Sequence, residues 1–290
     1  MISRTEAPEI VLPTFGQPVS GRSAFVVGVW GSAGSGKTTV ACNLAFELAE
    51  LGTSVLLVDA DGRRPSIAAL MNLVESGPGI TAVTRLGRQG RLDESELRRL
   101  CTEIRFENHT LDVLTGLNIP NRWPELDKPG LEALLKVAGE VHDFVIVDLN
   151  DELESGLISS RAEGERNLAT NFFTETADVV LGVFAADPVG INRFLFEARE
   201  VNFDYWPIAN RVTPTTIGKH PERQIRESMA KLGRITPRAM LPDDPVSTHW
   251  SLLHGKPLRF MSKSSKLAAA LKLLALDLFD SRAATLNSGM

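Results

Sequence analysis

Lys37 follows Gly36 and precedes Thr38 in Gly31-Ser32-Ala33-Gly34-Ser35-Gly36-Lys37-Thr38, a run of the form G-x-x-x-x-G-K-[ST]. Glycines so placed let consecutive backbone N–H groups turn inward around phosphate oxygens, a following helix start adds its dipole, and an ammonium group bridges β- and γ-phosphates. On that reading Gly31 to Thr39 cradle the phosphates, Lys37 holds the β/γ pair, the Thr38 hydroxyl ligates Mg²⁺ and Thr39 faces the α-phosphate side. Two acids follow in "VLLVDADGRRPS", where Asp59 and Asp61 stand two apart at the end of a strand-like run. Strand residues two apart point the same way, so both carboxylates can reach a metal's water shell and an attacking water; the other reading is a pair of acids capping a strand end. Asp148 closes "DFVIVDL" as an acid at the end of a buried strand, either as a further metal-site residue or as a cap or turn residue. The chemistry these residues could do is triphosphate binding with metal-assisted hydrolysis.

The elements that must position them are legible as alternating segments. Short apolar, β-branched runs lie at 25–30, 54–59, 111–114, 144–148, 179–185 and 208–212, separated by longer amphipathic stretches. The runs are nearly continuous in apolar character, as strands covered on both faces require. The expected fold is a doubly wound α/β domain with a mostly parallel sheet, helices on both faces and the ligand at the carboxyl edge of the strands. Val40, Leu44 and Leu48 recur at helical spacing after the glycine loop, and Gly52 stops that helix. Residues 1–22, with Pro8, Pro13, Pro18, Gly16 and Gly21, are expected to form a tail; 23–281 form the nucleotide-binding domain and 282–290 a second tail.

Composition narrows the function classes. A chain of 290 residues with 43% apolar and 23% charged residues can bury one sizeable core. Its formal charge of -5 gives no general attraction to nucleic acid or anionic lipid, and Arg85, Arg88 and Arg91 form a local run expected in a solvated loop. Two cysteines, Cys42 and Cys101, lack metal-ligand spacing, and Cys42 is expected in a helix core. With no apolar run of about twenty residues and no export-like start, the expected location is cytoplasmic, with membrane recruitment only through a partner.

The loop, "VDAD", "FVIVD", "ANRV" and "MLPDDPVSTHWSLLHGKPLRF" together resemble the ParA/MinD family of deviant P-loop ATPases over most of the chain after residue 23. The resemblance implies ATP as the nucleotide, an adenine pocket built by Asn210, Arg211 and Pro242, and a homodimer that forms with ATP. It also implies protein partners in a cell-positioning system, which serves Flp/Tad pilus assembly, septum siting or partition. "LTGL…RWPEL" and "AADPVG" are similar to the CpaE/TadZ-like branch associated with Flp/Tad pilus placement. Two departures stand out: the family's signature lysine falls on Ser32 and its second glycine on Ala33. Loss of a cation that stabilises phosphate charge can cost on the order of 10²–10³ in rate, so slow turnover is expected. After Asp148, Leu149-Asn150-Asp151 lacks the glycine common in the family's switch, and Arg63 and Arg64 are candidate compensating cations.

Two other readings compete. One is an ATP-bound scaffold without turnover. The other is a bacterial tyrosine kinase, which shares "VDADxRRPS" but carries a C-terminal tyrosine cluster, whereas the single tyrosine here is Tyr205. The C-terminal stretch places Leu267, Leu271, Leu274 and Leu278 on one helical face, expected to pack on the core rather than on lipid. Phe194, Phe196, Phe203 and Trp206 are likewise expected as packing residues.

Overall fold

The computed structural model describes residues 24–73, 77, 79–153, 166–261 and 265–288, so the expected tail at 1–22 lies outside the described residues. The strands are β1 (Phe25–Trp30), β2 (Val55–Asp59), β3 (Thr102–Phe106), β4 (His109–Leu114), β5 (Phe144–Asp148), β6 (Val179–Ala185), β7 (Tyr205–Val212) and β8 (Ala239–Pro242). They form one sheet of order β3-β4-β2-β5-β1-β6-β7-β8, parallel throughout except for β3, which pairs antiparallel with β4. The four central strands β2, β5, β1 and β6 are buried almost end to end. Alternate residues feed opposite layers: Val26 and Trp30 join one apolar cluster, and Phe25, Val27 and Val29 join the other.

The helices are α1 (Lys37–Glu50), α2 (Ile67–Leu70), α3 (Gly79–Arg88), α4 (Glu94–Leu100), α5 (Lys128–Val141) and α6 (Leu168–Thr176), followed by α7 (Pro188–Glu197), α8 (Pro214–Ile217), α9 (Pro221–Gly233), α10 (Pro245–His254), α11 (Leu258–Met261) and α12 (Lys266–Ser288). α1 and α12 cover one face of the sheet with Val40, Leu44, Leu48, Leu271 and Leu274, and α3 to α7 with α9 cover the other. Two helices start on an Asp-Pro pair, in which the carboxylate caps free N–H groups and proline pre-sets the first turn. Asp187 accepts from the N–H groups of Val189 and Gly190, and Asp244 from that of Ser247. Asp244 does more: its second oxygen accepts from Ser247 Oγ at 2.7 Å and from Ser265 Oγ at 2.8 Å, and Ser265 Oγ in turn accepts from Ala268 N in the first turn of α12.

Some expectations need correction. Arg85 and Arg88 lie on α3, not in a loop, and Arg88 pairs with Asp127 at 2.8 Å. α12 runs on to Ser288, so 282–288 continue a helix, and Arg282 ion-pairs with Asp143 at 2.6 Å. Phe194 and Trp206 are buried as expected, but Phe196 is 71% exposed. Leu267, Leu271, Leu274 and Leu278 do face the core, and Cys42 is buried on α1. Among the described residues no helix is long and apolar enough to cross a membrane.

Candidate functional site

β1 ends at Trp30 and the chain turns through Gly31 to Gly36 before α1 begins at Lys37. Three glycines carry the turn with φ of 153°, 78° and 87° at Gly31, Gly34 and Gly36. At Gly31 any side chain would also collide with the sheet, because a Cβ there would sit 2.0 Å from the Val183 carbonyl oxygen. Gly36 occupies the left-handed region at the helix start, and no side chain caps α1, which leaves its first N–H groups for a ligand.

The acids converge at the same sheet edge. Asp59 and Asp148 end the adjacent strands β2 and β5 and are register partners. Thr38 Oγ1 donates to Asp148 Oδ2 at 2.7 Å, which ties the first turn of α1 to β5. The other oxygen, Asp148 Oδ1, is buried without a hydrogen-bond partner. Burial pushes the Asp148 carboxyl well up from its ordinary value and the charge of Asp59 adds to the rise, against the pull of Lys37 and the Thr38 hydroxyl. Burial likewise pushes Asp59 up to about 7, with Asp61's charge adding and the N–H groups of Ile67, Asp61 and Ser66 opposing. Those three N–H groups engage the Asp59 carboxylate, so Asp59 also shapes the turn into α2. Asp61 Oδ1 accepts from the N–H groups of Arg63 and Arg64, both at 2.8 Å, while among the described residues no hydrogen bond engages its second oxygen.

These donors fit Mg²⁺. A buried carboxylate oxygen without a donor, beside a hydroxyl, in a group of acids whose proton affinity is raised, is a site short of positive charge. Among the described residues no three His, Cys, Asp or Glu side chains form a metal cage of their own. An ion held there by Thr38 and Asp148 would take its remaining ligands from phosphate and water.

The residues expected to border a base lie beside the phosphate loop. A β-bulge between Ala209 and Val212 re-aims Asn210, whose Nδ2 donates to the Ser35 carbonyl at 2.8 Å and whose Oδ1 accepts from Arg211 N. Asn210 thus grips the phosphate loop and retains one donor and one acceptor. A cavity of about 80 Å³ is bounded by Gly36, Asn210, Arg211 and Pro242. A larger one of about 510 Å³ is bounded by Thr39, Arg211, Asp187, Thr213, Thr216 and His249. Asn210, Arg211 and Pro242 are therefore brought together beside the loop. Asp187, Thr213, Thr216 and His249 were not anticipated; the Asp-Pro starts of α7 and α10 were the available signal for two of the walls.

Ser32, where the resemblance would place a lysine, is buried and its Oγ donates to Glu197 Oε2 at 2.6 Å. Burial raises the Glu197 carboxyl; the Ser32 bond opposes, Asp151's charge adds and Arg193's opposes. Nothing local in the sequence signals this pair, 165 residues apart. Arg63 and Arg64 reach the segment after β5: Arg64 Nη2 donates to both Asp151 carboxylate oxygens at 3.0 Å, and Arg63 meets Glu152 at 2.7 Å and Asn167 at 3.2 Å. Asn150 Nδ2 donates to the same Asn167 oxygen. Cys101 is pushed up to about 12 by burial and Cys42 is also raised by burial, so neither offers a thiolate.

Fold and site together define a P-loop nucleotide-binding α/β protein. Residues 27–242 match the CobQ/CobB/MinD/ParA nucleotide binding domain (CbiA), and the chain belongs to that family. It is 27% identical over 230 residues to a MinD-like septum site-determining protein of Chlorella vulgaris, covering 79% of this chain and 74% of that one. Over a shorter stretch of 116 residues it is 36% identical to tyrosine-protein kinase YwqD of Bacillus subtilis, covering 40% of this chain and 45% of the kinase. The fold superposes on the septum site-determining protein MinD of Pyrococcus horikoshii, solved with Mg-ADP, with a TM-score of 0.65 at 20% identity over 88% of this chain and 95% of that one.

Proposed function

We propose that this protein binds ATP with Mg²⁺ at Gly31–Thr39, hydrolyses it slowly, and uses the two nucleotide states as a switch in subcellular positioning. The observation that carries the reading is the Thr38–Asp148 hydrogen bond, with the second Asp148 oxygen buried and unpartnered at the foot of the phosphate loop. Lys37 holds the β- and γ-phosphates. Thr38 and Asp148 hold the metal with Asp59 in its outer shell, and the free oxygen of Asp61 orients the attacking water. Asn210, Arg211 and Pro242 border the adenine. What Mg²⁺ supplies when bound is positive charge between phosphate oxygens.

Slow turnover follows from Ser32: its hydroxyl is spent on Glu197, so no cation from this position reaches the transferred phosphoryl group. ATP favours a homodimer and a partner-binding surface, and hydrolysis releases them, to the extent that the two states differ in their contacts with the γ-phosphate. Placement of a Flp/Tad-type pilus, as in the CpaE/TadZ-like branch, is the particular role we assign. Purified protein is expected to bind ATP·Mg²⁺ by calorimetry and to release phosphate linearly at a low rate. Lys37→Ala is expected to abolish binding, and Asp61→Ala to abolish release with binding retained. Tight ATP retention with no release in the unaltered protein would favour the scaffold reading; no binding would remove both. The kinase reading has support from the similarity to YwqD over 116 residues. It predicts phosphotyrosine after incubation with ATP, yet the single tyrosine, Tyr205, sits half-buried at the start of β7.

A further inference from the structure

α12 has a second apolar stripe besides the one it buries. Ala269, Lys272, Leu276, Phe279, Ala283 and Leu286 follow one another at intervals of three and four along its 23 residues, the spacing of a helix-pairing seam. All six are exposed, five of them apolar, and Leu273, flanking Lys272, is 68% exposed; such a run of uncovered apolar side chains marks an interaction surface. We infer that this stripe pairs with the same stripe of a second copy, antiparallel about a two-fold axis at Leu276, independently of nucleotide.

The charge pattern selects that occupant and that direction. Antiparallel pairing centred on Leu276 sets Lys272 against Asp280 of the second copy twice over, Leu273 against its Phe279, and Ala269 against its Ala283. The two alanine pairs, one near each end, permit close approach of the helices. A parallel arrangement would place Lys272 on Lys272 and Asp280 on Asp280. Among the described residues neither Lys272 nor Asp280 makes a close ion pair within the chain, although Lys272 acts at longer range on Glu47 across the neighbouring cavity. A cavity of about 370 Å³ opens beside the N-terminal part of the stripe, bounded by Phe260, Ala268, Ala269 and Lys272 and also by the charged Glu47, Glu107 and Arg259. In this register the second copy's Leu286 arrives at that cavity. A contact limited to one helix per copy, roughly 30 Å long, implies a weak, concentration-dependent dimer.

The surface is distinct from the nucleotide edge of the sheet, so the test is run on the full chain without nucleotide. Sedimentation over a range of about 1 to 200 μM is expected to show monomer passing to dimer. Leu276→Asp should remain monomeric while binding ATP as before. Lys272→Asp and Asp280→Lys should each weaken association several-fold, and the two together should restore it, because the reversed pair again matches across the axis. A wild-type chain that stays monomeric throughout overturns the proposal, whether residues 1–22 cover the stripe or a lipid surface does. So does a Leu276→Asp protein that dimerises normally, or a double reversal that recovers nothing.

Discussion

At the scale of single residues, Gly31 bears the strictest requirement. Its φ of 153° and the Val183 carbonyl 2.0 Å from any Cβ leave no room for Gly31→Ala without moving β1 from β6. A loss of about 2–4 kcal/mol is expected, read as a lower urea midpoint. Glu197 gives a pH signature. Its carboxyl is raised by burial, so the folded state binds the proton more tightly than the unfolded chain, and stability falls as pH rises from the ordinary value of 4.5 through the folded one. Glu197→Gln should flatten that slope, so that the variant gains on the wild type in urea titrations as pH increases; equal slopes would show that the Ser32 bond compensates the burial. The residues of the loop were legible in sequence because the motif is contiguous and its mechanism local. The Ser32–Glu197 pair and Asn210's grip on Ser35 were not, because each joins residues more than a hundred positions apart through the fold.

At the scale of elements, the start of β5 and the last helix are stapled together. Asp143 accepts from Ser54 N and Oγ and from Arg282, and Phe25 N donates to the Asp143 carbonyl. Burial works to raise the Asp143 carboxyl, but the Ser54 and Arg282 contacts outweigh it and the net direction is down. That stabilisation is present above the ordinary value of 3.8 and is lost as pH falls through the folded one. Arg282→Ala should therefore move acid unfolding to higher pH and cost about 1 kcal/mol near neutrality, measured by circular dichroism. The central strands were readable because burial on both faces makes them continuously apolar. β3 escaped because Thr102–Phe106 is an edge strand with Glu103 and Arg105 outward, and β8 because four residues carry no period. The arginine run of α3 was expected in a loop because Gly87 and Gly90 break the pattern around it. Gly87 serves packing: a Cβ there would lie 2.7 Å from the Ala133 Cβ, so the glycine lets α3 press against α5.

At the scale of the molecule, a ligand that binds only the folded form stabilises it by mass action. ATP·Mg²⁺ at a hundredfold excess over its dissociation constant should add about 2.7 kcal/mol and raise the melting temperature by about 5 °C, a shift Lys37→Ala should abolish. The overall architecture was legible because alternating strand and helix patterns admit few topologies; how its far parts are fastened was not. Asp244 shows what such fastening entails. Because one carboxylate ends α10 at its start and, through Ser265, also holds the opening turn of α12, neither helix can unravel from that end alone. Asp244→Ala should release the two starts from one another, with amide hydrogens at 247–248 and 268–269 each exchanging faster and at separate rates while the central strands keep theirs.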